Sequence, residues 1–293
     1  GQTLPGGAVP ASDSFVISAK ILDDGSLDLA KIVGVGGPKW SNMSMCSIGP
    51  YVFLIGDSIP APAPRNGVLR YRLEPGGDIS GPIICATPFP MPIQDIRGWT
   101  QISNWVYFMG TSGAGFNSTD LWAFKVTVDG PQELTRLRDF QLGPQASRTF
   151  TSFGNSLISI GGVTVNGGTR VSDIWTAKVN GGDCGSWTKM GETPVPIAQV
   201  PVIVVDNHLI IAGGRVSNAN PQTTTAVYIS KLGTSGGMGP WVLSASLPVG
   251  VFATAGALVA TRRHVYVMCS VEGSPAGLVG QKIVQYAPIL RGP

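Results

Sequence analysis

Charge is scarce in this chain. Asp, Glu, Lys and Arg make up 13% of its 293 residues, against an average near ~25% in soluble domains. The formal balance of +3 is thinly spread, and the nearest thing to a basic cluster is the pair Arg262-Arg263. Nucleic acid is therefore not an expected partner, because phosphate binding needs several cations along one face. Histidine is rarer still: His208 and His264 are the only two, which leaves little for a His-based nucleophile or a metal centre. The four cysteines, Cys46, Cys85, Cys184 and Cys269, are far apart, with no CxxC and no His at ligand spacing. They read as small apolar side chains, buried or half-buried, and no metal is expected. Long apolar runs are missing too. The longest, Val249 to Ala260, covers about half a bilayer span and contains Gly and Thr, so it predicts a buried strand and no membrane insertion. The opening residues, GQTLPGG, hold no charged-then-apolar leader.

Glycine (40), proline (23) and apolar residues (43%) are what the chain has instead. That balance favours many short strands joined by tight turns over long surface helices, around a sizeable core. Setting the chain against itself shows why. Five apolar runs end in glycine or a small residue: YVFLIGD at 51, WVYFMGT at 105, SLISIGG at 156, HLIIAGG at 208 and HVYVMCS at 264. A second series, VLRYRL, LWAFKV, IWTAKV and VYISKL, puts Arg72, Lys125, Lys178 and Lys231 at intervals of 53. An earlier copy, VISAKI, and a later one, IVQYAPI, extend that series to six. Pro38, Pro90, Pro144, Pro196 and Pro248 mark a third register, and Trp187 and Trp241 precede the last two.

Each repeat holds four strand candidates, as in 199–205, 208–212, 226–232 and 241–246. Alternation in VYISKL puts one face in the core and Lys231 in water. A four-stranded antiparallel unit of about 53 residues, repeated in tandem, is the pattern of a β-propeller blade. The fold expected is all-β: one propeller domain over residues 1–293, with five blades and six as the alternative. The N-terminal segment 13–35 is expected to close the ring against the C-terminal repeat 251–290, removing a free sheet edge. Within this frame Gly213-Gly214 and Gly161-Gly162 are structural. No helix follows to present its N-terminus to a phosphate, and the backbone is expected to bend where a Cβ would meet the next blade or a forbidden φ/ψ region.

LISIGGVTVNGG with DIWTAKV and Trp187, and LIIAGGRVSNAN with AVYISKL and Trp241, resemble kelch-type repeats, in which a double glycine is followed by a spaced aromatic and then tryptophan. The aromatic-to-tryptophan spacings of 12 and 13 are longer than usual for kelch, and the other repeats lack the doublet. The resemblance implies a divergent kelch-like propeller similar to those of bacterial and phage surface proteins.

Catalytic constellations are thin. Both histidines occupy one repeat slot, which elsewhere holds Ser156 or Trp105. DDGSLDL and NGGDCGSW are not sialidase Asp-boxes, and two histidines on strand-start turns do not supply the copper ligands of galactose oxidase. Asp23-Asp24 reads as a turn former, while Asp57, Asp95, Asp120 and Glu272 fall on different loops and could pair across a cleft. The loops after the second strands are rich in Ser, Thr, Asn and Gly, with Arg65, Arg170 and Arg215 available to an anionic group. Loops leading into each blade add Trp40, Asp95, Arg97, Arg148 and Phe252. Together with Asp57 these nine are the expected ligand-binding residues of the loop face. Two sequons, Asn42-Met43-Ser44 and Asn117-Ser118-Thr119, fit a secreted chain, although the first falls in an expected inner strand.

The function expected is non-enzymatic: a recognition or structural module on a virion surface or cell exterior, such as a phage spike or fibre. Its expected partner is a host surface glycan or receptor, or the other structural proteins of an assembly, with a homo-oligomer contact at the extra third-strand copy. A carbohydrate-active or sugar-isomerising enzyme with its site at the channel mouth is the alternative. Neither reading calls for a cofactor.

Overall fold

The structure is a computed structural model, and it describes residues 2–3, 14–18, 20–28, 33–37, 40–58, 67–85, 94–111, 120–137, 145–164, 168–218, 222–233, 236–252, 258–271 and 282–288. Strands and turns are the regular structure present, and no helix occurs among these residues. β1 (Gln2–Thr3), β2 (Ser14–Ser18) and β3 (Val33–Gly37) come first, with β2 paired to β3. Four antiparallel sheets follow. One is β4 (Trp40–Ile48), β5 (Tyr51–Ser58), β6 (Gly67–Leu73) and β7 (Ile79–Ile84) in chain order. The next is β8 (Gln94–Ile102), β9 (Trp105–Thr111), β10 (Leu121–Thr127) and β11 (Gly130–Arg136).

After β12 (Gln145–Ala146), the third sheet contains β13 (Thr149–Phe153) and β14 (Ser156–Ile160), interrupted by β15 (Val163–Thr164), which pairs with β12. It continues with β16 (Asp173–Asn180), flanked by β17 (Asp183–Cys184) and β18 (Thr188–Glu192). The fourth is β19 (Val202–Val205), β20 (His208–Ala212), β21 (Val227–Leu232) and β22 (Met238–Leu243). A C-terminal sheet holds β23 (Val251–Phe252), β24 (Leu258–Ala260), β25 (His264–Val271) and β26 (Lys282–Pro288), with β1 on its outer side.

The arrangement is a propeller ring with four blades, where the repeats predict five. The C-terminal repeat does not build a contiguous fourfold sheet. Among the described residues of 249–260, β23 and β24 are both paired to β25. The partner on the far side of β26 is β1, through Gln2↔Val284 and Thr3↔Ile283. The segment at 20–28 also reaches this sheet, since the Tyr266 hydroxyl donates to the Gly25 carbonyl at 2.9 Å.

Alternation along the second strands explains both the apolar runs and the core. Leu157 packs with Tyr107, Met109 and Leu121 of the preceding blade, while its neighbour Ile158 turns to Ile197, Leu209 and Ile211 of the following one. Successive side chains point to opposite sheet faces, and both faces are covered by neighbours, so the strand is apolar throughout. A similar cluster joins the first two blades around Phe53, Phe108 and Phe124, all fully buried. Lys178 and Lys231 lie on the wet side of their strands.

Polar contacts repeat the connection between neighbouring blades. The Trp99 indole donates to the Met45 carbonyl at 2.9 Å, the Tyr107 hydroxyl to Gly181 at 2.7 Å and the Trp241 indole to Glu192 at 2.7 Å. The glycine doublets serve the same seam. Gly162 and Gly214 donate their N–H groups to the Ile197 and Val251 carbonyls at 2.8 and 2.7 Å. Gly161 and Gly213 have φ of +56° and +70°. A Cβ on Gly161 would collide with the Ile197 carbonyl, and one on Gly213 would stand 2.6 Å from that of Val251. Left-handed backbone and close approach therefore coincide, and both call for glycine.

Candidate ligand-binding site

Among the described residues, two places can receive a ligand. The first lies between the innermost strands: β4, β8, β13, β19 and β24 stand in that order, each beside the next, around a cavity of about 480 Å³. β8 and β13 present the half-buried hydroxyls of Thr100 and Ser152, whereas β19 and β24 present Ile203 and Val259. Met45 of β4 also lines it and is 57% exposed. The Gln101 amide, at the same level, is committed to the Ser47 backbone, accepting at 3.1 Å and donating at 2.7 Å. Trp99 and Phe150 reach the cavity wall but are otherwise core.

The second place is the loop face, where first strands begin and second strands end. Arg215 follows the Gly213-Gly214 doublet and bridges by backbone to Ala198 and Thr223. Its guanidinium lies 4.2 Å from the Phe252 ring centroid, a cation–π distance. Arg170, from the loop of the preceding blade, donates Nη1 to Asn218 Oδ1 at 2.8 Å. Gln199, three residues ahead of β19, has φ +50°, and the buried Gln199 Oε1 and Arg215 Nε have no hydrogen-bond partner. Orphaned buried polar atoms are rare in folded chains and mark places where water or a ligand group completes the bonding.

Of the nine residues expected to bind ligand, the structure brings Arg215 and Phe252 together, with Arg170 one blade away. Trp40 and Asp57 sit on the paired ends of β4 and β5, with Trp40↔Ser58 and Ser41↔Asp57 in register. Asp95 and Arg97 lie near the start of β8, and Arg65 is outside the described residues. Arg148 departs most from expectation. It is 1% exposed and its side chain is spent inside the third blade. Nε donates to Ser159 Oγ at 2.7 Å, Nη2 to the Asp173 carbonyl at 3.1 Å and Nη1 to Asp173 Oδ1 at 3.2 Å. Burial draws its guanidinium down to about 10, while the Asp173 carboxylate opposes that fall. Asp173 also accepts from the Trp175 indole. Arg148 is a structural staple because every donor that could reach a ligand faces inward.

The residues that sequence reasoning missed are Gln199, Asn218 and the cavity wall. A signal for the wall was present in the repeat: Thr100, Ser152 and Val204 are spaced by 52 and all line the cavity. Of the titratable groups considered for catalysis, Glu272 lies outside the described residues, and those whose side chains are described are dispersed. His208 begins β20 with Nδ1 2.9 Å from the Asp206 carbonyl, and His264 is buried against Gly25. Asp120 pairs with Arg136 at 2.7 Å. Asp24 accepts from Ser26 N and Oγ, which holds its carboxyl below the ordinary range. Among the described residues no three His, Cys, Asp or Glu side chains converge as a metal site. Cys46, Cys85 and Cys184 are free thiols, the first two buried.

No family model matches this chain, and no curated protein matches it in sequence. Among solved structures, one described as "Structure of YjhT" superposes with a TM-score of 0.63 at 11% identity, covering 94% of this chain and 88% of that one. At that identity the likeness shows the fold: a β-propeller arrangement of antiparallel sheets.

Proposed function

We propose that this chain is a divergent kelch-type recognition module that binds a surface glycan on its loop face, without catalysis or cofactor. Its expected setting is extracellular or on a virion, where a host glycan or receptor would be the partner. The observation that carries this reading is the Arg215–Phe252 pair beside Gln199. An arginine set over an aromatic ring, with a buried N–H and a buried amide oxygen still unbonded, is preorganised for the hydroxyl and acidic groups of a carbohydrate.

The experiment is a glycan array on the purified chain, repeated with Arg215→Ala. Selective binding that the variant loses supports the reading. A blank array with folded protein removes it and leaves a structural part of an assembly. One observation favours that second reading: Val242 and Leu243 on β22, the last strand of its sheet, are 62% and 61% exposed. Sedimentation showing self-association that Val242→Lys abolishes would support it.

A further inference from the structure

The cavity between the first strands has two chemically distinct arcs. Thr100 and Ser152, on the adjacent strands β8 and β13, supply hydroxyls. Ile203 and Val259, on the adjacent strands β19 and β24, supply aliphatic surface, and Val259 is 42% exposed although it faces a concavity. With the Gln101 amide already bonded within the protein, Thr100 and Ser152 are the partly exposed polar side chains on this wall. None of these four side chains carries charge. Its volume of about 480 Å³ falls in the range of small-molecule sites.

We propose that this cavity is a subsite for a 6-deoxyhexose residue of the bound glycan. The sugar's methyl group sits against Ile203 and Val259, and its ring hydroxyls meet Thr100 and Ser152. The assignment rests on the glycan reading and adds the class of sugar. A hexose carrying a hydroxyl at C6 would place it on the aliphatic arc, where it loses water and finds no partner in exchange. A methyl group there covers apolar surface that is otherwise wet. β19, which lines the cavity, begins three residues after Gln199.

The test is saturation-transfer NMR and titration with matched monosaccharides: 6-deoxy-D-galactose against D-galactose, L-rhamnose against L-mannose, and L-fucose against L-galactose. The expected result is that at least one deoxy sugar binds about tenfold or more tightly than its hydroxylated partner, the scale set by one buried methyl group or one stranded hydroxyl. Val259→Thr should narrow that ratio while the fold, checked by circular dichroism, is unchanged. Ser152→Ala should weaken both members of the pair. Equal or reversed preference overturns the proposal, as does absence of binding by all six sugars. In either case a positive array lost in Arg215→Ala leaves the loop-face reading standing, so the two failures are told apart.

Discussion

The Tyr266 hydroxyl and the Gly25 carbonyl are joined at 2.9 Å across 241 residues of sequence, and the His264 ring fills the space where a Gly25 side chain would stand. The turn at 22–26 is thus seated on the C-terminal sheet. Tyr266→Phe should cost about 1 kcal/mol, the usual worth of one neutral hydrogen bond. Gly25→Ala should cost more, because φ is +86° and the new Cβ would meet the imidazole at 2.5 Å. Urea unfolding of the two variants checks the order.

Arg148 gives a second expectation. Asp173→Asn leaves a buried guanidinium without its counter-charge, and removing one partner of such a pair costs about 3–5 kcal/mol. Arg148→Met, which removes the charge and keeps much of the volume, should cost less than Asp173→Asn. Thermal unfolding decides. The reverse order would mean that the ion pair stabilises the junction outright.

The buried thiol of Cys46 makes stability fall in alkali. Burial, helped by Cys85, pushes it up to about 12 from an ordinary 9.0. Below pH 9 both folded and unfolded chains carry the thiol and its contribution is whole. Between pH 9 and about 12 the unfolded chain ionises first, so stability drops as pH rises. At pH 11 this amounts to a loss on the order of 2–3 kcal/mol. Cys46→Val should therefore lose less stability than the parent between pH 8 and pH 11 in parallel denaturant titrations.

Glycines of equal backbone conformation should differ by what surrounds them. Gly213→Ala meets Val251 of the next sheet, whereas Gly168, with φ +64°, has nothing within 4 Å. Strain alone is worth on the order of 1–3 kcal/mol. Gly168→Ala should stay near the low end and Gly213→Ala should exceed the range, as read by melting temperature.

Much of the fold was legible because the repeat fixes register. Glycine-ended strands, basic third-strand residues and prolines recur at about the same interval, and a blade that buries both faces writes itself as apolar runs. The count of four blades was not legible, since 249–260 reads as an apolar stretch like the first strands of the other repeats. Arg148 was misplaced on the loop face by its charge. Its counterpart 52 residues on is Val200, fully buried, and that apolar slot already marks an interior position. The contact of Arg215 with Phe252 was not legible, because the equivalent pair one blade earlier is Val163 and Ala198, neither of which can make a cation–π contact.

The order of the first strands has one more consequence. Each contributes its own facet to the cavity, reading Met45, Thr100, Ser152, Ile203 and Val259, and of these Ile203 also packs into the seam around Ala212, Val251 and Leu258. The facets behave like the tumblers of a lock. The four that stand clear of that seam can be exchanged one at a time, so a scaffold of this kind can diversify what it accepts by single steps and keep the same ring.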